Sequence, residues 1–155
     1  MNIFVLSKSR KKCAKYHCNA HVVKMILEYA QILCSAIWST GIEAPYKKTH
    51  MNHPCSIWTR QSKKNWKWLH GLAILLCEEY TYRYEKIHKT ESIIRSLTCP
   101  EIENGPFTNP PQAMPDYCKV ENDPVKAYRN YYNKEKTHIL KWKKRNIPYF
   151  IEIQS

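Results

Sequence analysis

Five polar residues in the first third of the chain are spaced as they would be on one face of a helix. They follow one another at intervals of four, three, four and three positions and are His17, His21, Lys24, Glu28 and Gln31. Residues three or four apart are neighbours on a helical surface, and the positions between these five are mostly apolar. Imidazole, ammonium and carboxylate groups can hold phosphates and move protons, so the stripe is predicted to line a site. The alternative is the solvated face of an ordinary amphipathic helix.

A second polar cluster lies where a basic segment, residues 46–50, runs towards the His53-Pro54 pair. Proline is favoured in the first turn of a helix, and the unpaired N–H groups there attract phosphate, so His50 and His53 are predicted to bind nucleic acid. A rival interpretation is a zinc site, although the Cys-x-x-Cys pairs typical of such sites are missing. Its candidate ligands are His17, Cys18, His21, His50, His53 and Cys55. Ordinary capping and packing is a third interpretation.

The last third of the chain alternates basic and aromatic residues, mainly over residues 128–134 and 141–150. Cations bind phosphates, and aromatic faces stack on exposed bases or wedge into a duplex. The alternative is that the tyrosines belong to the core. A smaller patch of the same kind spans residues 63–68. The nucleic-acid contacts predicted from these segments and their surroundings are Arg60, Lys63, Tyr128, Arg129, Tyr132, Trp142, Lys143 and Lys144.

Three long helices are predicted to carry these residues. The first covers residues 11–38, a segment without proline or glycine whose apolar residues fall at helical spacing. The second, residues 54–88, begins with proline, and the third, residues 123–142, begins with a capping aspartate and proline. A short extended segment, residues 2–6, precedes them. Five prolines exclude regular structure from most of residues 98–122, and so long a loop is typically functional or wraps the surface.

The composition limits both the fold and the partner. With 155 residues, 43% of them hydrophobic, the chain can bury one sizeable core, so a single compact, mainly helical domain over residues 1–155 is predicted. Lys and Arg number 25 against 13 Asp and Glu, and the net charge of +12 favours a polyanion such as nucleic acid. A membrane is the competing partner, but no apolar run approaches the roughly 20 residues that span a bilayer.

The cysteines and the first residues indicate the compartment. The seven cysteines are an odd number without a framework spacing. The apolar stretch at residues 3–6 is too short for a secretion signal, and the basic residues follow it instead of preceding it. Reduced thiols in a cytoplasmic protein are therefore predicted.

Three features together resemble a known family. The extended segment at residues 2–6 precedes a helix in which His21 lies seven positions before Glu28. A basic loop with His53-Pro54 leads into the second long helix, and a segment rich in Tyr, Trp and Lys ends the chain. This arrangement is similar to that of the small phage-type pyrimidine-dimer DNA glycosylase/AP lyases known as endonuclease V and their bacterial relatives.

The resemblance implies a mechanism. Members of this family use the N-terminal α-amine as nucleophile, here the amine of Met1, because the bulky Asn2 favours retention of the methionine. An α-amine has a pKa of about 7.7 to 8.0 and is substantially unprotonated near neutrality. It would attack the anomeric carbon, release the base and form an imine that undergoes β-elimination. Glu28 would stabilise the cationic intermediate and shuttle protons.

The resemblance also implies how DNA is held. The family's arginines immediately before the glutamate and three residues after it correspond here to Leu27 and Gln31, and Lys24 is expected to substitute for them. His21, Lys24 and His53 would hold flanking phosphates, and aromatic side chains would support a nucleotide extruded from the stack. No cofactor is expected.

The sequence thus predicts a monomeric, phage-like DNA-repair glycosylase/AP lyase that acts on a damaged or modified pyrimidine in duplex DNA. Two other functions stay open. One is a non-catalytic nucleic-acid-binding or host-modulating protein on the same scaffold, and the other is a metal-dependent nuclease that uses the His/Cys cluster. Blocking the N-terminus would separate the first two, and zinc in the purified protein would identify the third.

Overall fold

The fold is built from α-helices, in a computed structural model that describes residues 2–152. The helices are α1 (Arg10–Tyr16), α2 (Asn19–Trp38), α3 (Pro54–Gln61), α4 (Lys63–Tyr84), α5 (Glu91–Ser96) and α6 (Pro124–Glu135). Short 3₁₀ turns form at Asp116–Cys118 and Thr137–Ile139. Within residues 2–152 no β-strand is present. The prediction of a mainly helical fold is confirmed.

The two longest helices, α2 and α4, form the centre of the core. On α2, Ile26, Ala30 and Leu33 are fully buried. Trp66 of α4 is buried against them, and its indole N–H donates to the carbonyl oxygen of Leu33 at 3.2 Å. α1, α3 and α5 also pack on α4, and one connected apolar cluster takes side chains from every helix of the described range. Both helices therefore bury one side in this core and turn another side to solvent.

α2 is long and apolar enough to span a membrane by length and composition alone. It has 20 residues, and an 18-residue window within it has a mean hydropathy of 1.3. The prediction that no segment approaches such a span is wrong in this respect. In the fold, 61% of that window is buried by the rest of the chain, as is typical of a central helix in a globular core.

The predicted first helix is two helices, because the chain breaks at His17 and Cys18. His17 adopts an extended conformation with φ −60° and ψ 129°, which ends α1. The amide of Cys18 donates to the hydroxyl of Tyr132 at 3.2 Å, and the amide of Asn19 donates to the carbonyl oxygen of Lys141 at 2.8 Å. Segments from the end of the chain thus supply the partners at the break.

The predicted second helix is also divided. The backbone of Ser62 is extended, with φ −153° and ψ 155°, so α3 ends there, and the Ser62 hydroxyl accepts from the amide of Asn65 to cap α4. α4 ends at Tyr84, earlier than predicted, because Glu85 adopts the left-handed conformation with φ 56°. The third helix likewise ends early, at Glu135. The three predicted long helices are therefore shorter and more numerous in the structure.

Two predicted helix starts are confirmed. His53 caps α3, and its Nδ1 accepts from the amide of Cys55 at 3.0 Å. Asp123 caps α6, and its carboxylate accepts from the amide of Lys126 at 3.0 Å. In both helices proline occupies the first turn, where a missing amide hydrogen costs nothing.

Residues 2–6 form neither a helix nor a strand, the amide of Leu6 turns back to the carbonyl oxygen of Phe4 at 3.1 Å, and most of the segment lies inside the core. The four apolar residues of the segment, 3–6, are all buried. Arg129 of α6 donates from Nε to the carbonyl oxygen of Leu6 at 3.0 Å. The segment is therefore held between α2 and α6 rather than lying on the surface.

The proline-rich loop, residues 98–122, wraps around the outside and is tied back to the fold. The side-chain amide of Asn2 donates to the carbonyl oxygen of Ala113 at 2.8 Å. The hydroxyl of Tyr128 donates to the carbonyl oxygen of Pro111 at 2.7 Å. Of the two roles predicted for this loop, the structure shows the wrapping one.

Candidate active site

The solvent-facing side of α2 carries Glu28. Its side chain is 17% exposed, and Oε2 lies 3.7 Å from Nζ of Lys24, one turn earlier. Val23 and Leu27 beside Lys24 are exposed as well, and Gln31, one turn further on, is partly exposed. Lys24, Glu28 and Gln31 therefore lie on one face of α2, as their spacing predicts, with Lys24 exposed and the other two half-buried.

Tyr29, the residue after Glu28, holds the N-terminal segment against α2. Its hydroxyl accepts the amide hydrogen of Phe4 at 3.0 Å and lies 2.8 Å from Nε2 of His17. Nδ1 of His17 lies 2.7 Å from the carbonyl oxygen of Cys13. Because that oxygen can only accept, Nδ1 carries the proton, and Nε2 accepts from the Tyr29 hydroxyl.

Cys13 completes a closed hydrogen-bond circuit through these residues. Its thiol donates to the carbonyl oxygen of Phe4 at 3.1 Å, and its own carbonyl oxygen accepts from His17. The circuit thus runs from Phe4 to Tyr29, to His17, to Cys13 and back to Phe4. Both backbone polar groups of Phe4 are held within it.

A second buried pair joins α2 to α6. The hydroxyl of Tyr132 accepts from the amide of Cys18 and lies 2.7 Å from Nδ1 of His21. Either atom can be the donor in this bond, because the hydroxyl oxygen has two lone pairs. The ring of Phe4 stacks on the imidazole of His21 with the centroids 4.0 Å apart. The N-terminal segment thus contacts both histidine–tyrosine pairs.

Burial keeps both histidines neutral near neutral pH. It lowers the pKa of His17 from 6.5 to about 4, against the opposing effect of the Cys13 carbonyl. Burial and the charges of His17, Lys136 and Lys24 lower the pKa of His21 to about 3. A neutral His17 is what the circuit requires, because a proton on Nε2 would remove the acceptor for Tyr29.

The two buried histidines predict that the protein loses stability in mild acid. The unfolded chain protonates both near pH 6.5, whereas the folded chain does so only near their lowered pKa values of about 4 and 3. The unfolded state binds more protons in this interval, so the free energy of unfolding falls as the pH falls. Between about pH 7 and pH 5 we expect each histidine to lower the free energy of unfolding by about 2 kcal/mol, as measured by urea unfolding.

Two variants test this assignment. His138 is exposed, so His138→Gln should keep the full pH dependence, whereas His17→Gln should lose about half of it. If His17→Gln kept the full dependence, a group other than His17 would cause it.

Three residues predicted to touch nucleic acid lie in the interior instead. His17, Tyr128 and Tyr132 are fully buried, and their polar atoms are used within the protein. The prediction that they contact phosphates or bases is therefore wrong, and both tyrosines are core residues, as the alternative interpretation held. His21 is 5% exposed, so little of its ring is open to a ligand.

The basic loop lies against the same face of α2 as Glu28. The hydroxyl of Ser35 donates to the carbonyl oxygen of Thr49 and accepts from its amide, both at 3.1 Å. Ser35 is seven positions after Glu28 and therefore on the same side of the helix. His50, the next residue of the loop, is exposed. The loop thus continues the polar face of α2.

His53 and Arg60 have structural partners in this region. His53 is half-buried, and burial lowers its pKa, so its ring is neutral while it caps α3. Arg60 donates to the carbonyl oxygen of Met51 at 2.7 Å and holds the end of the loop. Both are only partly exposed, so their role in nucleic-acid binding stays a prediction.

The candidate zinc ligands are not arranged as a metal site. Among residues 2–152, no group of three or more His, Cys, Asp or Glu side chains could hold a metal ion. His17 uses both ring nitrogens elsewhere, and burial raises the pKa of the Cys55 thiol. All seven cysteines are free thiols. The His/Cys cluster of the sequence is therefore dispersed in the fold.

The C-terminal basic residues are partly engaged by the fold. The indole N–H of Trp142 donates to the carbonyl oxygen of Tyr16 at 2.9 Å. Nζ of Lys144 lies 3.1 Å from Oε1 of Glu85. Lys143 and Lys144 are exposed, so they stay available to a phosphate, whereas Trp142 fixes this segment to the end of α1.

Two further predicted contacts also have partners within the protein. Arg129 donates to Leu6 and, at 2.9 Å, to the hydroxyl of Tyr149, and its guanidinium lies 4.4 Å from the ring centroid of Phe150. Lys63 forms an ion pair with Glu101 at 3.1 Å. Arg129 is therefore a structural link between the N-terminal segment and the C-terminal aromatic residues.

A buried charge cluster on α4 was missed by sequence analysis. Glu79 accepts from Nε of Arg83 at 2.7 Å and from two guanidinium nitrogens of Arg145 at 3.0 and 2.9 Å. Arg83 is fully buried and also donates to Asn19 and to the carbonyl oxygen of Lys15. The i, i+4 spacing of Glu79 and Arg83 was a visible signal, but their burial depends on distant segments.

The predicted nucleophile, the α-amine of Met1, lies outside the described residues. Asn2 is tied to Ala113 of the proline-rich loop, and Phe4 is tied to Tyr29 of α2. The bond between Phe4 and Tyr29 joins the N-terminal segment to the residue that follows Glu28 in α2.

A family model described as pyrimidine dimer DNA glycosylase matches residues 1–92, more than half of the 155 residues. The match includes Glu28, the basic loop and all four members of the hydrogen-bond circuit. No curated protein and no solved structure matches the chain.

Proposed function

This chain belongs to the pyrimidine dimer DNA glycosylase family, and on that premise we propose that it removes a damaged or modified pyrimidine from duplex DNA and nicks the strand through an imine. The family makes DNA the substrate and base excision the reaction class. The imine, the residues that form it and the strand cleavage are the parts proposed here.

The observation that carries the proposal is the attachment of the first residues to the position next to Glu28. Tyr29 binds the amide of Phe4, and Met1 is three positions before Phe4. Three extended residues span at most about 10 Å. An amine within that reach and a carboxylate on the adjacent residue of α2 can act on the same sugar.

The proposed reaction begins with the unprotonated α-amine of Met1. Its lone pair attacks C1′, and the bond from C1′ to the base breaks with its electron pair leaving on the base, which takes up a proton. The sugar ring then opens to give an iminium between the amine nitrogen and C1′. Loss of a proton from C2′ expels the 3′ phosphate by β-elimination. Water finally hydrolyses the imine and regenerates the amine.

Glu28 supplies the proton transfers and the negative charge for this sequence. As a carboxylate it would compensate the charge of the cationic iminium, and among Lys24, Glu28 and Gln31 it is the side chain that can accept the C2′ proton. Lys24, one turn away and 73% exposed, is placed to bind a flanking phosphate. Lys143 and Lys144 are further exposed cations for the DNA backbone, and the exposed imidazole of His50 is a further polar group for it.

Borohydride trapping tests the proposal directly. Untagged protein is mixed with duplex DNA carrying an abasic site or an ultraviolet photoproduct, and borohydride reduces any imine to a stable amine. We expect a covalent adduct that maps to Met1, and we expect acetylation of the N-terminus to abolish it while salt-sensitive DNA binding survives. Binding without an adduct on either DNA would instead identify a non-catalytic DNA-binding protein.

A further inference from the structure

The hydrogen-bond circuit binds both backbone polar groups of Phe4 in the N-terminal segment. Phe4 has its amide bound by Tyr29 at 3.0 Å and its carbonyl oxygen bound by Cys13 at 3.1 Å. All four residues of the circuit are buried, and the ring of Phe4 also stacks on His21 and meets the ring of His17 edge-on. Water therefore cannot replace these hydrogen bonds without opening the core.

We propose that Tyr29, acting with His17 and Cys13, is a positioning residue that sets the register of residues 2–6 along α2 and thereby the distance between the α-amine and Glu28. This inference rests on the proposed function, in which that amine is the nucleophile. It assigns to Tyr29 no contact with DNA, because the Tyr29 side chain is fully buried.

The loss of rate expected from a shifted segment explains why a positioning residue would matter. Consecutive Cα atoms are about 3.8 Å apart, so a shift of the segment by one residue would displace its backbone by several ångströms at most. A misplacement of about 1 Å at a reacting group can cost about 100-fold in rate. A slipped or fluctuating segment would therefore leave DNA binding intact and remove most of the chemistry.

The directions of the hydrogen bonds in the circuit leave one consistent arrangement. The Cys13 carbonyl makes Nδ1 of His17 the donor, so Nε2 must accept from the Tyr29 hydroxyl, and the oxygen of that hydroxyl is left to accept from Phe4. Tyr29 is therefore bound by a donor and an acceptor at once. Losing either His17 or the Tyr29 hydroxyl breaks the same circuit.

Tyr132 provides a matched control within the same core. Its hydroxyl also binds one backbone amide and one histidine, and its side chain is fully buried. The amide that it binds, however, is that of Cys18 rather than one of residues 2–6. Tyr132→Phe therefore removes the same chemistry as Tyr29→Phe without releasing the backbone of the N-terminal segment.

The experiment measures borohydride trapping on abasic duplex at saturating DNA in wild type, Tyr29→Phe, Tyr132→Phe, His17→Phe and the Tyr29→Phe/His17→Phe double variant. DNA affinity and thermal unfolding are measured on the same samples. We expect Tyr29→Phe to trap at least about tenfold more slowly than Tyr132→Phe at a similar loss of stability, with affinity within about twofold of wild type. The double variant should be no slower than the slower single variant, because both changes break one circuit.

The outcomes separate the two proposals. If wild type gives no adduct, the proposed imine function fails and the positioning role fails with it. If wild type gives an adduct and Tyr29→Phe traps as fast as Tyr132→Phe, the imine function stands, and Tyr29 only stabilises the fold.

Discussion

A Glu28→Gln variant is expected to process lesion-bearing duplex at least about 100-fold more slowly than wild type, the usual scale for loss of a positioned acid or base. The glutamine keeps the shape of the side chain but cannot accept the C2′ proton or neutralise the iminium. Affinity for DNA should stay within about threefold of wild type. Any change should be an increase, because the variant removes a negative charge near phosphates. Single-turnover kinetics and fluorescence anisotropy measure the two effects separately.

Glu91→Gln is the matched control for this variant. Glu91 on α5 also has a side chain that is 17% exposed, and it also forms an i, i+4 ion pair, with Arg95 at 3.1 Å. Loss of such a pair changes stability by less than about 1 kcal/mol, so Glu91→Gln should process DNA at the wild-type rate. Full activity in Glu28→Gln would remove Glu28 from the mechanism, and equal losses in both variants would point to stability instead.

A Glu79→Gln variant should lower the free energy of unfolding by about 3 kcal/mol at neutral pH. Arg83 is fully buried, and the variant leaves its charge in the interior without the carboxylate that compensates it. Arg145 loses the same partner. Urea or thermal unfolding measures the effect, and a loss of this size should lower the Tm by about 10 °C in a chain of this length.

Glu78→Gln gives the comparison for Glu79. Glu78 is the preceding residue, its side chain is 58% exposed, and it lies 3.7 Å from Arg95, so its loss should cost less than about 0.5 kcal/mol. Equal losses at the two positions would contradict the assignment of a buried, charge-compensated cluster.

The pH dependence of the Glu79 variant has a definite sign. Burial alone would raise the pKa of Glu79, but hydrogen bonds from Arg145 and Arg83 outweigh it and lower the pKa below 4.5. A lowered carboxyl pKa stabilises the fold above the ordinary value and loses that effect as the pH falls through the lowered value. The difference between wild type and Glu79→Gln should therefore shrink in acid below pH 4.5.

The helix starts and the central helix could be predicted because their signals are local. His53-Pro54 and Asp123-Pro124 carry cap and proline side by side, and the apolar spacing of α2 extends over its full length. The break at Cys18 could not be predicted in this way. Its amide is satisfied by Tyr132, and no residue near the break reveals that partner.

The same distinction between local signals and contacts with distant residues applies to the candidate site. The spacing places Lys24, Glu28 and Gln31 on one face of α2, as helical geometry requires, but it does not predict that Glu28 and Gln31 are half-buried or that His21 on that face is buried. The same spacing places His17 on that face wrongly, because the break turns it inwards to Tyr29. Tyr29 itself lies among apolar positions and carries no local sign of a functional role.

Because α6 binds the first residues of the chain, the candidate site can form only late in synthesis. Arg129 reaches Leu6 across 123 positions, and Asn2 reaches Ala113 across 111. The ribosome releases the N-terminus first, and contacts between residues so distant in sequence form late in folding. A nascent chain therefore exposes Glu28 before the contacts of α6 with residues 2–6 can form, and a product truncated before α6 would keep the partners in the Tyr29 circuit but lose the bond from Arg129 to Leu6.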